Sequence, residues 1–285
     1  MSDEYIKKAS SSSELVQLEN EVLQDIQETF NISPTYGVPT QRLFSVRYDY
    51  QIKTQNPKAL FLKDAVTGGG YFLDAPQRVF IIKDLDWRTR DNQHLTGHYG
   101  SRGQYSYDAA VILLHENGDN KNSWCHNTLI HEILHSVSLY SRIWDRFSRI
   151  MRLRKFFREG ITECLTGYIL FNRHKDCYEG WKSNQLYRCP ISYKQHVRLW
   201  CSFCQCVGVK DLAEFYLSTR QDPVDAWNQL VQSVQAAGFL DFNYQLDPAA
   251  PFNEGVLRET CVNSLPDFKE IYESLTKSLD FSRIS

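Results

Sequence analysis

His131-Glu132-Ile133-Leu134-His135 is the stretch on which the reading of this chain turns. It has the form H-E-x-x-H, and after an intervening run of residues 136–158 comes Glu159, in Arg158-Glu159-Gly160-Ile161-Thr162-Glu163. On a helix, side chains four positions apart share a face with Cβ atoms about 5–6 Å apart. His131 and His135 can therefore offer one ring nitrogen each to a single metal ion. Glu132 sits about 100° round the helix from His131. That is too far for an equal ligand, but well placed for proton transfer to or from a water on the metal. A zinc ion that does chemistry keeps one position open, so a single further protein ligand completes the set.

Working outward, no glycine or proline occurs between Gly118 and Gly160. Such a length without breakers predicts helix. Asn122 or Ser123 is the expected N-cap, and Ile130, Ile133, Leu134 and Val137 the buried stripe. Phe156, Phe157, Ile161, Leu165, Tyr168 and Ile169 place Glu159 on a second amphipathic helix. Glu159 is the expected third ligand. Glu163, one turn on, is expected to accept a hydrogen bond from a ligand imidazole and fix its tautomer. The exchanged assignment, with Glu163 on the metal and Glu159 behind it, stays open.

The rest of the chain supplies the frame. Its 285 residues, 42% hydrophobic and 13% aromatic, suffice for a large core. Residues 1–13 are polar and Ser-rich and are expected to be a disordered tail. Leu15, Leu18, Val22, Leu23, Ile26 and Phe30 follow helical spacing, and Asn31–Thr40 reads as a connection. Leu43–Tyr48, Arg78–Ile82 and Ala109–His115 are rich in β-branched and aliphatic residues and predict strands. Gly68–Gly70 suggests a turn, since no Lys-Ser/Thr follows to make it a phosphate loop. From Glu163 onward the pattern is mainly helical. The fold expected is α+β and zincin-like, with a small mixed sheet. Residues 14–155 form its first lobe, and a helical lobe covers 156–285.

This constellation resembles the gluzincins, the zinc metallopeptidases typified by thermolysin and the M1 aminopeptidases. The resemblance covers about residues 107–170. It implies a zinc ion held by His131, His135 and Glu159, with Glu132 as general base and then general acid. Glu163 occupies the place of the carboxylate that supports a ligand His in thermolysin-like enzymes. Ala109–His115 would be the edge strand that pairs with an extended substrate. The gap before Glu159 is longer than is usual in those groups, and the exopeptidase motif of the M1 enzymes is absent. The family logic also asks for an oxyanion donor from the C-terminal lobe, for which Tyr187, Tyr193 and His196 are the candidates.

The expected function is zinc-dependent hydrolysis of peptide bonds in a narrow set of protein or peptide substrates, as in a toxin, effector or regulatory protease. The alternative is a metal-stabilised binding or scaffold protein without turnover. The net charge of −2 argues against nucleic acid as main ligand. No apolar run approaches the roughly 20 residues of a membrane span. The polar N-terminus carries no apolar h-region, so the expected location is cytoplasmic, or outside after export without a cleaved signal. Eight cysteines at this length read as reduced thiols. Cys201, Cys204 and Cys206, with Cys189, form a weak candidate for a second metal, and His94 with His98 a weaker one. No cysteine has a nucleophile context. Arg142, Arg146, Arg149, Arg152, Arg154, Lys155 and Arg158 form a basic run broken by one acid, Asp145. It is a solvated helix face or a patch for an acidic partner.

Overall fold

The computed structural model describes residues 6–8, 13–36, 48–51, 59–64, 70–74, 79–83, 103–106, 111–116, 126–139, 158–187, 191–220, 222–246, 253–275 and 281. The chain divides into two compact units, Met1–Leu23 with Tyr36–Ser136, and Gln24–Thr35 with Val137–Ser285. The lobe boundary expected at residues 155–156 lies outside the described residues.

In the first unit, backbone pairing traces short strands. β1 (Ile6–Lys8), β2 (Tyr48–Gln51), β3 (Ala59–Asp64) and β4 (Gly70–Asp74) lie in the order β1-β4-β3-β2. β5 (Val79–Lys83), β6 (Gly103–Ser106) and β7 (Val111–Glu116) lie in the order β5-β7-β6, with β5 parallel and β6 antiparallel to β7. Of these strands only the side chain of Ile112 is described, and it is buried. Most of α1 (Ser13–Phe30) and α2 (His126–Val137) also starts in this unit.

The fold class follows from the part of the chain described with its side chains. That part is 77% helical and contains no sheet. The expected α+β, zincin-like class with a small mixed sheet is therefore corrected to a helical protein. Among the residues described with side chains, the buried apolar groups, Ile112 apart, lie on helices or on loops packed against them.

The second unit shows how those helices form. α1 places Val22, Ile26 and Phe30 on one buried stripe at four-residue spacing. Asn31, at φ 57°, stops it in the left-handed conformation that asparagine tolerates. The end of α1 is tied to α3 (Gly160–Arg173) by Asp25–His174 at 2.6 Å, by Glu28–Arg173 at 2.8 Å and by the stacked rings of Phe30 and Tyr168. α4 (Lys175–Tyr187), α5 (Ile191–Val207) and α6 (Val209–Tyr216) all pack on α3. Gly208, at φ 93°, makes the break between α5 and α6, a backbone shape that a side chain would strain. α7 (Pro223–Ala236) starts on Asp222, whose carboxylate accepts from the Val224 and Asp225 amides, with Pro223 in the first turn. α8 (Glu254–Ser264) starts on Asn253 in the same way, and α9 (Phe268–Ser274) follows.

Two aromatic clusters fill the space between these helices. Trp181 meets Tyr178 and Phe281, and Trp200 meets Phe203 and Trp227, which in turn meets Phe215 and Tyr244. All three tryptophans are almost fully buried. At roughly 150–250 Å² each, such rings dominate the apolar area removed from water. The Trp227 indole N–H donates to the Tyr244 carbonyl at 2.8 Å, so its one polar group stays satisfied. Among the described residues no helix is long and apolar enough to cross a membrane.

The tryptophans set the glycine positions of α3. A Cβ on Gly167 would lie 2.3 Å from the Trp181 ring, and one on Gly160 would lie 2.7 Å from Trp200. Gly180 in α4 has open space around it. The usual sign of a helix Gly→Ala change is therefore reversed at one of these sites and kept at another. Gly167→Ala is expected to lower stability by about 1–3 kcal/mol through overpacking. Gly180→Ala is expected to raise it by about 0.5–1 kcal/mol through helix propensity. Urea unfolding of both variants checks this, and equal signs would contradict the packing described.

Candidate metal centre

α2 is held by the apolar residues around its histidines. Leu129, Ile130, Ile133, Leu134 and Val137 are all buried. The Asn127 side chain accepts from the Thr128 amide at the start of the helix. Asn122 and Ser123, the expected caps, lie outside the described residues. Glu132 is 7% exposed and His135 4%, while His131 is half-buried. The helical repeat brings the two imidazoles together. Their Nε2 atoms stand 2.9 Å apart, with the rings edge-to-face. Tetrahedral zinc with Zn–N bonds near 2.0–2.1 Å would hold two such nitrogens about 3.3 Å apart. A small adjustment of either ring reaches that separation.

Glu159 stands immediately before α3, in helical conformation at φ −74° and ψ −40°. Residues 158 and 159 form a π-type turn, a local widening of the helix that often marks a functional position. One oxygen of Glu159 accepts from the Arg158 guanidinium, at 2.9 Å from Nε and 2.8 Å from a terminal nitrogen. Ligand atoms of His131, His135 and Glu159 all lie within 4.8 Å of one another. The donor set is two imidazoles and one carboxylate, borderline-soft nitrogen with hard oxygen, which suits zinc.

The other expected residues fall as follows. Glu163 lies one turn beyond Glu159 on α3. Its carboxylate accepts from the Trp181 indole N–H at 2.9 Å, so α4 fixes its orientation. The backbone of Tyr187 ends α4 and that of Tyr193 begins α5, and their side chains lie outside the described residues. His196 on α5 faces Glu254 of α8, at 3.5 Å from its Nε2, and its Cβ is 3.2 Å from the position a Cβ would take on Gly160. Of the basic run only Arg158 is described, and it pairs with Glu159. His94, His98 and Cys189 lie outside the described residues.

The described cysteines are all free thiols. Cys201 and Cys204 are buried on α5, and Cys204 points to Cys164 of α3 with the sulfurs 3.7 Å apart. Cys206 faces the Pro266 carbonyl instead. Burial pushes the Cys201 and Cys204 thiols well above their ordinary range, and the neighbouring Cys164 adds to this. Among the described residues, the cysteines form no group of three that would hold a second metal.

Two residues beside Glu159 have no sequence signal at all. Tyr216 of α6 and Thr162 of α3 are fully buried, and their hydroxyl oxygens are 2.5 Å apart. Tyr216 also donates to the Arg158 carbonyl at 3.3 Å. Burial pushes the Tyr216 phenol above its usual range. The Thr162 hydrogen bond opposes that shift, and the Glu159 charge adds to it. The phenol therefore stays neutral.

No family model, curated protein or solved structure matches this chain.

Removing the donor to Glu163 leaves a part-buried carboxylate without that partner. Trp181→Phe is expected to lower stability by about 1–3 kcal/mol beyond the loss of ring area. Glu163→Gln keeps an acceptor for the indole and is expected to cost less than half as much. Thermal unfolding of the two variants tests the order, and a larger loss in Glu163→Gln would contradict it.

Proposed function

We propose that this protein is a zinc-dependent peptidase of narrow substrate choice, with a gluzincin-like set of active residues. The observation that carries the proposal is the gathering of His131, His135 and Glu159 ligand atoms beside a buried carboxylate, Glu132. A purely structural metal site has no use for that carboxylate, and it is closed by a fourth protein ligand.

In this proposal His131, His135 and Glu159 hold the zinc. When bound, zinc lowers the pKa of a water toward neutrality and polarises a carbonyl. Glu132 accepts the proton of the attacking water and returns it to the departing amine. Burial beside the histidines limits the bulk water that competes for that carboxylate. Arg158 neutralises part of the Glu159 charge and restrains its side chain, so less ordering is needed when the cation arrives. Tyr187, Tyr193 and His196 remain the candidates for donors to the carbonyl oxygen, with His196 anchored by Glu254.

The test is cleavage of a diverse peptide mixture, read by mass spectrometry, for wild type beside Glu132→Gln, with zinc measured in both. Glu132 is not a ligand, so the variant is expected to keep its zinc and to cut at least about 100-fold more slowly. Zinc in both proteins with no cut by either would favour the binding or scaffold alternative. Equal cutting by both would remove Glu132 from the mechanism.

A further inference from the structure

We infer that Tyr216 is a positioning residue that fixes the peptide on which Glu159 is carried, and so sets the affinity of the centre for zinc. This rests on the metal reading above and assigns that site a part remote from its motif.

The Arg158 carbonyl and the Glu159 nitrogen belong to one planar peptide unit, so holding that carbonyl restricts the plane from which the Glu159 side chain departs. Tyr216 donates to this carbonyl at 3.3 Å. A phenol has one proton to give, so with that proton on the Arg158 carbonyl the Thr162 hydroxyl, 2.5 Å away, donates to its oxygen. Arg158 immediately precedes Glu159, and Thr162 follows it by about one helical turn. A single buried hydroxyl on α6 therefore ties together both sides of the Glu159 turn.

That turn needs such a tie. Residues 158–159 take a π-type turn in place of regular α-helical bonding. Tyr216 is 0% exposed, so its hydroxyl acts in a dry site where a lost partner is not replaced by water. Groups one step behind a metal ligand orient it, and losing one typically weakens metal binding 10–100-fold.

The experiment measures zinc affinity by competition with a chromophoric chelator, together with the melting temperature of the metal-free protein. The proteins are wild type, Tyr216→Phe, the double variant Tyr216→Phe/Thr162→Val, and Ser202→Ala. In the last, an unrelated buried hydroxyl on α5 that donates to the Arg198 carbonyl is removed. Tyr216→Phe is expected to bind zinc about 10–100-fold more weakly. The double variant removes the facing hydroxyl as well, so it is expected to recover melting temperature but not zinc affinity. Ser202→Ala is expected to bind like wild type. If Tyr216→Phe binds zinc as wild type does, or if affinity returns with stability in the double variant, the positioning role is overturned and the metal centre stands. If wild type takes up no zinc, the metal reading falls and this inference with it.

Discussion

The packing of two tryptophans on two glycines of α3 is the constraint on which the described core turns. Trp181 lies against Gly167 and Trp200 against Gly160, each so close that a single methyl group would collide. Protein interiors are packed to crystal-like density, so such contacts fix helix positions to within a fraction of an ångström. α3 is thereby clamped from α4 and α5, with Glu159 immediately before it and Glu163 in its first turn. The same Trp181 that closes on Gly167 gives its N–H to Glu163. Packing and polar anchoring are thus delivered by one side chain.

The candidate centre depends on that rigidity because its parts come from two different kinds of geometry. His131, Glu132 and His135 need nothing beyond the helical repeat to take their relative places. Glu159 needs a fixed turn, and that turn carries the Arg158–Glu159 ion pair and is bonded through the Tyr216 and Thr162 hydroxyls.

What was legible in the sequence follows the same division. The H-E-x-x-H helix and its apolar stripe, Ile130, Ile133, Leu134 and Val137, could be read because the relevant distances are set within two turns of one helix. The helical character of the chain after Glu163 was legible for the same reason. The fold class was not. Leu43–Tyr48 and Arg78–Ile82 have strand composition, but composition does not say which elements meet in a core, and the described core is helical. Glu163 was expected to accept from the imidazole of His131 or His135, whereas the donor found on it is an indole 18 residues away. Tyr216 and Thr162 are 54 residues apart and carry no motif. Cys164 and Cys204 are 40 apart, and local spacing drew attention to Cys201–Cys206 instead. Pairings made only by tertiary packing leave no trace in short spacings.

The measurement that tests the central claim most directly is X-ray absorption at the zinc edge of the zinc-loaded protein. The account predicts a first shell of nitrogen and oxygen only, at about 2.0–2.1 Å, with imidazole scattering from two histidines and one position taken by water. A shell containing sulfur at about 2.3 Å would place the metal on the cysteines instead. That result would contradict the assignment of His131, His135 and Glu159.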